Sequence, residues 1–293
     1  MSLVVTLISR PGLLTPAIGT MAKEVVGASA IGWLAEKTAC EFAPVEGIEA
    51  KEAEIRLREA LAAHPVDVVV QPAEDRRKKI LIADMDSTMI DQECIDELAD
   101  EIGMKEHISA ITRRAMNGEI AFEPALRERV LLLKGLPVSV ISHILDKRIT
   151  LAAGGWELIA TMKKNGAYTA LVSGGFTSFT GPVAARLGFD ENIANRLLEE
   201  DGRLAGKVAE PILGRQAKAE ALVATAARLS LTPGDAMAVG DGANDLDMIR
   251  LAGSGVALHA KPSVAAEARI RIDHGDLTAL LYIQGYRQSE FVR

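Results

Sequence analysis

Two carboxylates, Asp84 and Asp86, directly follow a short apolar stretch. The residues before them, 80–83, are all apolar, which is typical of a buried strand. Because residues i and i+2 of a strand project to the same face, the pair is expected to lie side by side at the strand's carboxyl end, where open α/β sheets bind ligands. Two like charges so placed require a cation or a shared proton nearby. Taken alone, the motif could also simply begin a solvated turn.

A second pair of carboxylates, Asp241 and Asp245, follows another apolar stretch, with glycines on both sides of Asp241. Carboxylates from two neighbouring strand ends would make a hard, oxygen-rich site. Mg²⁺ fits such a site best, because it prefers octahedral oxygen coordination at about 2.0–2.1 Å and accepts waters and substrate phosphate as further ligands. The glycine-flanked turn is weak evidence by itself, but together with Asp84 and Asp86 it predicts a magnesium site.

Two further features indicate binding of an anion. Ser173, Gly174 and Gly175 follow an apolar stretch, and glycines allow backbone N–H groups to approach an anion closely. In isolation, a glycine turn capped by a serine is the better interpretation. Lys218 lies near the start of a predicted helix, where a single lysine is usually solvated. A site that contains carboxylates, a metal and a phosphate needs a fixed cation, however, and Lys218 is a candidate for it.

The chain divides into three predicted domains. Residues 1–73 show the order βαββαβ of an α+β ferredoxin-like domain. Residues 74–90 and 151–293 alternate strands with helices, which predicts an α/β core with a doubly wound parallel sheet. Residues 91–150 are helical in pattern throughout and begin just after the first carboxylate pair. An insertion at that point is placed to form a helical cap over the site.

The element boundaries follow from the apolar patterns. Strands are predicted at residues 3–8, 30–34, 38–42, 66–70, 80–83, 168–172, 236–239, 255–258 and 270–272, and helices at 15–26, 50–63, 93–102 and 122–133.

Composition excludes several function classes. Aromatic residues are only 4% of the chain and the net charge is −7, so neither base stacking nor electrostatics favours nucleic acid as a partner. No apolar stretch reaches membrane-spanning length, and the amino terminus lacks a basic leader, so a cytoplasmic location without membrane contact is expected. The two cysteines, Cys40 and Cys94, are expected to be reduced and packed as small apolar residues.

In this order, the motifs resemble those of the haloacid dehalogenase superfamily of phosphotransferases. They are Asp84-Met85-Asp86-Ser87-Thr88, Ser173-Gly174-Gly175, Lys218 and Gly240-Asp241-Gly242-Ala243-Asn244-Asp245. From residue 80 to about residue 286 the chain is similar to the phosphoserine phosphatases of that superfamily. The similar segments include Ile90-Asp91-Gln92-Glu93, Phe122-Glu123-Pro124-Ala125-Leu126-Arg127-Glu128-Arg129-Val130 and Ala194-Asn195-Arg196-Leu197. Arg10-Pro11-Gly12-Leu13-Leu14 resembles the ACT domain, which binds small molecules.

The resemblance implies Mg²⁺-dependent hydrolysis of O-phospho-L-serine to L-serine and phosphate, the last step of serine biosynthesis. The reaction would pass through an aspartyl-phosphate on Asp84, with Asp86 as the general acid and base. It also implies that Asp84, Asp241 and the backbone carbonyl of Asp86 are metal ligands, and that Asp245 holds the metal's waters.

The resemblance assigns substrate contacts as well. Phosphoryl oxygens would be bound by Ser173, Gly174, Lys218 and Asn244. The ammonium and carboxylate of the substrate would be bound by Glu93 and Arg129 of the cap. From the residues alone, Glu93 and Arg129 could equally be exposed charges on helix faces. Phe122 and Met116 line the apolar side of the cap or pack into its core.

Two alternative functions stay open at this point. A related phosphatase or phosphotransferase could act on another small phosphoester with the same chemistry. The other alternative is a regulatory binding protein with a vestigial catalytic centre. The catalytic motif residues argue against it, because all of them are present: Asp84, Asp86, Lys218, Asp241 and Asp245. A homodimer is a possible assembly.

Overall fold

The computed structural model describes residues 2–117 and 119–293, with Met116 described by its backbone only. In chain order the elements are β1 (Leu3–Ser9), α1 (Pro16–Val25), β2 (Gly32–Ala35), β3 (Ala39–Phe42), α2 (Ala50–Ala60), β4 (Val66–Pro72), β5 (Ile80–Ala83), α3 (Cys94–Asp100), α4 (Lys105–Met116), α5 (Phe122–Leu132), α6 (Ser139–Lys147), α7 (Gly155–Lys164), β6 (Tyr168–Phe176), α8 (Thr177–Leu187), β7 (Glu191–Asn195), β8 (Leu197–Glu200), β9 (Arg203–Val208), α9 (Arg215–Arg228), β10 (Ala236–Gly240), α10 (Leu246–Leu251), β11 (Ser254–Leu258), α11 (Pro262–Ala265), β12 (Ile270–Ile272) and α12 (Ala279–Ile283).

These elements form two compact units. The first comprises the chain up to Lys78 together with Ala153–Gly166 and Ile270–Arg293, and the second comprises Lys79–Ala152 and Ala167–Arg269. This division differs from the domain boundaries expected from the sequence, which place residues 74–78, 153–166 and 270–293 in the core.

The first unit contains an antiparallel sheet with the strand order β2-β3-β1-β4. Val5 of β1 pairs with Phe42 on one side and Val70 on the other. Helices α1 and α2 pack on the sheet through a buried apolar cluster that includes Leu7, Phe42 and Leu57. The chain order βαββαβ confirms the predicted ferredoxin-like arrangement.

A buried carboxylate links the carboxyl-terminal segment to the rest of this unit. Asp67 on β4 is 2% exposed and accepts backbone hydrogen bonds from Asp273 (2.7 Å), His274 (3.1 Å) and Gly275 (2.8 Å). A buried carboxylate needs such partners, because leaving it unsatisfied would cost several kcal/mol, on the order of the penalty for an unpaired buried charge. Sequence patterns do not show which distant backbone amides supply the partners.

The second unit is built on a parallel sheet whose strands within the unit run in the order β11-β10-β5-β6-β7. Strand β5 lies between β10 and β6, with Ala83 paired to Val239 and to Leu171. The carboxyl ends of these three strands therefore lie at one edge of the sheet. Apolar residues of β5, β6, α9 and α10 share one buried cluster beneath that edge.

The described residues between Ile90 and Leu151 form four helices, α3 to α6. Ile90 and Leu151 form a β-bridge, so the chain leaves the core and returns to it at adjacent points. This arrangement is the one expected for a helical insertion after β5. Strand β7 and the β8–β9 hairpin were not predicted. The sequence of β7, Glu-Asn-Ile-Ala-Asn, is too polar to show an apolar strand pattern.

Among the helices of the described residues, none has both the length and the apolar character needed to span a bilayer.

Candidate active site

Asp84 and Asp86 lie where β5 ends. The backbone N–H of Asp84 donates to the carbonyl oxygen of Val239 (3.0 Å), which extends the pairing of β5 and β10 by one residue. Asp84 is buried. The Oδ2 atom of Asp86 accepts a hydrogen bond from the backbone N–H of Cys94 (3.3 Å), whereas its Oδ1 atom is buried without a partner among the described residues. That oxygen is free to exchange a proton with a ligand.

Lys218, in the first turn of α9, forms a buried bridge between two carboxylates. Its Nζ atom lies 2.6 Å from Oδ1 of Asp84 and 2.6 Å from Oδ1 of Asp245. The Lys218 side chain is only 2% exposed, so these contacts are shielded from water. Burial by itself would lower the pKa of Lys218, but the two carboxylates outweigh burial and raise it. The lysine is therefore held as a cation beside Asp84.

Asp241 and Asp245 are positioned by the turn that follows β10. Oδ2 of Asp245 accepts backbone hydrogen bonds from Asp241 (3.1 Å) and Gly242 (2.9 Å). A Cβ atom at Gly240 would overlap the Asp245 carboxylate, so only glycine allows this close approach. Oδ2 of Asp241 contacts Nζ of Lys261 (3.0 Å), while Oδ1 of Asp241 is buried and has no hydrogen-bond partner among the described residues.

These carboxylates can hold a divalent cation. One oxygen each of Asp84, Asp241 and Asp245 lie within 4.8 Å of one another, and all three residues are buried. The unpartnered Oδ1 of Asp241 provides a ligand atom with no competing hydrogen bond. Buried carboxylate oxygens are the donors that hard cations such as Mg²⁺ prefer. Asp245 belongs to this group by position, although the resemblance places it only at the metal's waters.

The phosphate-binding candidates lie at the end of β6 and after β10. Oγ of Ser173 accepts a hydrogen bond from the backbone N–H of Gly175 (2.9 Å), which leaves the hydroxyl proton available to a ligand. Nδ2 of Asn195 donates to the carbonyl oxygens of Gly174 (2.9 Å) and Leu213 (3.0 Å). Asn195 thereby connects residues 173–175, called the glycine loop from here on, to the segment that precedes α9. Oδ1 of Asn244 is buried without a partner among the described residues.

The two cap residues with predicted roles face the same cavity. Oε1 of Glu93 accepts a hydrogen bond from Oγ of Ser87 (2.7 Å). Arg129 on α5 is 5% exposed, and its guanidinium donates to the carbonyl oxygen of Ala125 (3.0 Å) and to Oγ1 of Thr112 (2.9 Å). Neither residue is an exposed charge on a helix face, so that interpretation is excluded, and the substrate contacts of Glu93 and Arg129 stay a prediction.

One cavity of about 310 Å³ joins these groups. Among the residues that line it are Asp84, Asp86, Glu93, Arg129, Ser173, Gly174 and Asn244. Lys218 and Asp241 are not among the lining residues. Both lie beside Asp84, which lines the cavity: Lys218 forms an ion pair with it, and a carboxylate oxygen of Asp241 lies within 4.8 Å of one of its oxygens. The structure therefore brings together the catalytic, metal-binding and substrate-binding candidates, which are Asp84, Asp86, Glu93, Arg129, Ser173, Gly174, Lys218, Asp241, Asn244 and Asp245.

Burial and crowding of negative charge control the electrostatics of the cavity. Burial, followed by the charge of Asp245, raises the pKa of Asp84 well above its ordinary value, and Lys218 opposes that shift. Burial raises the pKa of Asp86 to about 6, against the hydrogen bonds from Cys94. Burial and the charge of Asp86 also raise the pKa of Glu93. A bound cation would lower these pKa values and stabilise the ionised carboxylates.

Sequence reasoning missed Lys261 and left Phe122 undecided. Lys261 follows the end of β11, and its position near the carboxyl end of a core strand is a signal that could have been used. The Phe122 ring lines the cavity, and a Cβ atom at Gly174 would lie 2.9 Å from its Cζ atom. Phe122 thus packs against the glycine loop, which explains the need for glycine there. The side chain of Met116 lies outside the described part of the chain.

Comparison with known proteins identifies the family. A haloacid dehalogenase-like hydrolase model matches residues 81–250. The chain is 44% identical over 215 residues to a phosphoserine phosphatase of Archaeoglobus fulgidus, which covers 73% of this chain and 62% of that relative. The chain thus spans less than two thirds of the length of that relative.

Two solved structures agree with this result. A HAD family hydrolase from Salmonella enterica serovar Typhi covers 96% of this chain and 98% of its own, with a TM-score of 0.85 and 30% identity. A structure of a phospho-aspartyl intermediate analogue of phosphoserine phosphatase covers 70% of this chain and 98% of its own, with a TM-score of 0.67 and 41% identity. On the strength of the strand-end carboxylates, the parallel sheet and the match over residues 81–250, the chain belongs to the haloacid dehalogenase-like hydrolases.

Proposed function

We propose that this protein hydrolyses O-phospho-L-serine to L-serine and phosphate, with Mg²⁺ as the metal and Asp84 as the nucleophile. The relative from Archaeoglobus fulgidus is a phosphoserine phosphatase, and the cavity contains groups suited to each charged part of that substrate. Asp84, which is paired with the buried Lys218, lines the same cavity as Ser173, Gly174 and Asn244, the candidates for binding the phosphate. Glu93 and Arg129 of the cap line that cavity too and are the candidates for binding the ammonium and the carboxylate.

The observation on which the substrate proposal depends is the state of Arg129. Arg129 is 5% exposed, yet among the described residues no carboxylate lies within 4.0 Å of its guanidinium. A buried cation without an anionic partner is costly, and burial lowers the pKa of Arg129. A substrate carboxylate in the cavity would supply the missing charge, and the planar guanidinium can bind it through two parallel hydrogen bonds.

In the first step, an oxygen of Asp84 attacks phosphorus while the bond from phosphorus to the serine oxygen breaks. Asp86 gives its proton to that serine oxygen as it leaves. A pKa raised to about 6 suits this role, because it makes protonation of Asp86 near neutral pH less costly than for an ordinary carboxyl group. The product of this step is an aspartyl-phosphate on Asp84 and free serine.

In the second step, water attacks the phosphorus of the aspartyl-phosphate and releases phosphate and the Asp84 carboxylate. Asp86, now ionised, takes the proton from the attacking water. Lys218 remains beside Asp84 in both steps and balances the negative charge that is shared between the carboxylate and the phosphoryl oxygens. Ser173, Gly174 and Asn244 are placed to donate hydrogen bonds to the same oxygens.

Asp84 and Asp241 would hold the metal through their side chains, with the backbone carbonyl of Asp86 as a further ligand and Asp245 nearby. When bound, Mg²⁺ neutralises charge on the phosphoryl group and on the carboxylates. Lys261 contacts only Oδ2 of Asp241, so Oδ1 stays available for the metal.

Metal removal tests this assignment. We expect chelation to remove most turnover of phosphoserine, Mg²⁺ to restore it, and Ca²⁺ to inhibit. Ca²⁺ accepts six to eight oxygen ligands at about 2.3–2.6 Å, so it can draw both oxygens of Asp84 into coordination and misalign the attacking one. The measurement is phosphate release against metal identity after chelation. Full activity in excess chelator would contradict the proposed site.

Replacing Arg129 by alanine tests the substrate. Losing one partner of a desolvated charge pair costs about 2–5 kcal/mol, so we expect kcat/KM for phosphoserine to fall by about 30-fold to about 5,000-fold. An aryl phosphate has no carboxylate, so the ratio of its kcat/KM to that of phosphoserine should rise by a similar factor. Glu93→Ala should discriminate in the same way against substrates that carry an ammonium group.

A ratio that does not change in Arg129→Ala would remove the main support for an amino-acid substrate. General loss of folding would depress both substrates equally, so thermal unfolding of each variant is the control. The substrate panel should also include phosphothreonine and homoserine phosphate, because higher kcat/KM on either would replace phosphoserine as the substrate while leaving the chemistry intact.

A further inference from the structure

The Arg129 guanidinium is fixed by residues of the cap before any ligand binds. Nε donates to the carbonyl oxygen of Ala125 one helical turn earlier (3.0 Å), and Nη1 donates to Oγ1 of Thr112 on α4 (2.9 Å). A guanidinium has five N–H donors, so these two bonds leave three for a ligand. The hydrogen bond to Thr112 is the one that joins Arg129 to another helix, so it constrains the orientation of the guanidinium relative to α4.

Thr112 is itself held in place. It is 3% exposed, and its hydroxyl lies within hydrogen-bond distance of the carbonyl oxygen of Ile108 (3.1 Å) and of Oδ1 of Asp96 on α3 (3.2 Å). The other Asp96 oxygen accepts a hydrogen bond from Oγ of Ser109 (2.5 Å). The single hydroxyl proton of Thr112 is directed to one of these acceptors, so a lone pair of its oxygen is available to Nη1 of Arg129.

Thr112 also links Arg129 to a carboxylate of another cap helix, Asp96. Asp96 is too far from Arg129 to form an ion pair within 4.0 Å, yet its negative charge acts on the guanidinium together with that of Glu93. Thr112 lies between Asp96 and Arg129 and hydrogen-bonds to both. Three cap helices, α3, α4 and α5, thus join in holding one arginine, and both Thr112 and Arg129 line the cavity.

We infer that Thr112, supported by Asp96, is a positioning residue that sets the specificity of the site by holding the Arg129 guanidinium ready for a substrate carboxylate. This inference depends on the function proposed above. An arginine side chain has large rotamer freedom, and fixing it only when substrate arrives would cost binding free energy. A hydrogen bond made in advance removes that cost from the binding step.

Thr112→Val tests the inference, because valine keeps the shape of threonine and removes the hydroxyl. A hydrogen bond to a charged group is lost, so we expect the ratio of kcat/KM for phosphoserine to that for an aryl phosphate to fall about 10-fold to about 100-fold. The loss should appear mainly in KM for phosphoserine, since the reacting groups near Asp84 are unchanged. Thr112→Ser keeps the hydroxyl and should restore most of the ratio.

A double-mutant cycle separates positioning from structural damage. If Thr112 acts through Arg129, adding Thr112→Val to Arg129→Ala should produce almost no further change in the ratio. Thr225→Val, the same substitution at a buried threonine of α9, is the matched control and should leave the ratio as it is in the unmodified protein. Equal losses from Thr112→Val in both backgrounds, or a Thr112→Ser variant as impaired as Thr112→Val, would overturn the inference.

The outcome can be told apart from failure of the proposed function. If Arg129→Ala leaves the ratio unchanged, the proposal of an amino-acid substrate is wrong, and so is the proposed role of Thr112. If Arg129→Ala lowers the ratio but Thr112→Val does not, the proposed function stands and the positioning role alone is wrong. Should Thr112→Val fold poorly, the comparison between Thr112→Ser and Thr112→Ala in the two backgrounds gives the same test.

Discussion

Replacing Asp84 by asparagine is expected to abolish turnover of phosphoserine and leave the fold intact. An amide nitrogen or oxygen cannot form the acyl-phosphate that the proposed mechanism requires. The geometry at this position makes the substitution mild for the fold. Asparagine is nearly isosteric with aspartate, the backbone N–H that continues the pairing with β10 is retained, and Lys218 keeps its ion pair with Asp245. Two measurements check this expectation. One is steady-state phosphate release, and the other is the transfer of labelled phosphate from the substrate to the protein, detected after the reaction is quenched with acid.

The unmodified protein should carry label on an acid-stable, alkali-labile acyl group, and Asp84→Asn should carry none. Thermal unfolding and far-ultraviolet circular dichroism establish that the variant is folded before the activity is interpreted. Substantial steady-state activity in a folded Asp84→Asn preparation would refute the covalent mechanism. Label on Asp86 instead would show that Asp86, and not Asp84, is the nucleophile.

Replacing Asp86 by asparagine is expected to lower kcat for phosphoserine by about 10²- to 10⁴-fold, the usual scale for one general acid–base group. The reason is that asparagine still accepts the backbone hydrogen bond from Cys94 but cannot exchange a proton. Both steps of the reaction need this proton transfer when the leaving group is a serine alkoxide. The pKa of Asp86, raised to about 6 by burial, is consistent with transfer in both directions near neutral pH.

An activated aryl phosphate gives the sharper test of Asp86. Its leaving group departs without protonation, so the first step should remain fast in Asp86→Asn while hydrolysis of the aspartyl-phosphate is slow. We therefore expect a burst of aryl alcohol close to the enzyme concentration, followed by slow turnover. Absence of a burst together with equal losses on both substrates would argue that Asp86 acts on the fold or on binding and not as an acid and base.

Much of the molecule could be predicted from local pattern. The order βαββαβ in the first unit, β5 at its observed bounds, and the helical insertion after it all follow from hydrophobic periodicity. The reason is that burial of one face fixes the spacing of apolar residues within a single element. The strand-end carboxylates could be predicted for the same reason. Asp84 directly follows β5 and Asp241 directly follows β10, and these two strands pair in the parallel sheet.

Other features depend on contacts between distant residues and have no local pattern. Residues 270–293 belong to the first unit, where Asp273 and Gly275 donate backbone hydrogen bonds to the Asp67 carboxylate, and the sequence does not show this contact. Strand β7 was missed because its polar sequence is that of an edge position, where sheet pairing and not burial determines the strand.

The site shows the same division. The sequence by itself determined which residue types stand at the strand ends, and these types predicted a magnesium site. The resemblance of the motifs to the haloacid dehalogenase superfamily then implied phosphoryl transfer. Only the tertiary structure decided that Arg129 is buried, has no ion pair among the described residues and donates to Thr112, and that Lys261 leaves one oxygen of Asp241 without a described partner. Such arrangements arise where separate helices and loops meet, and the distances and desolvation that define them exist only after the chain has folded.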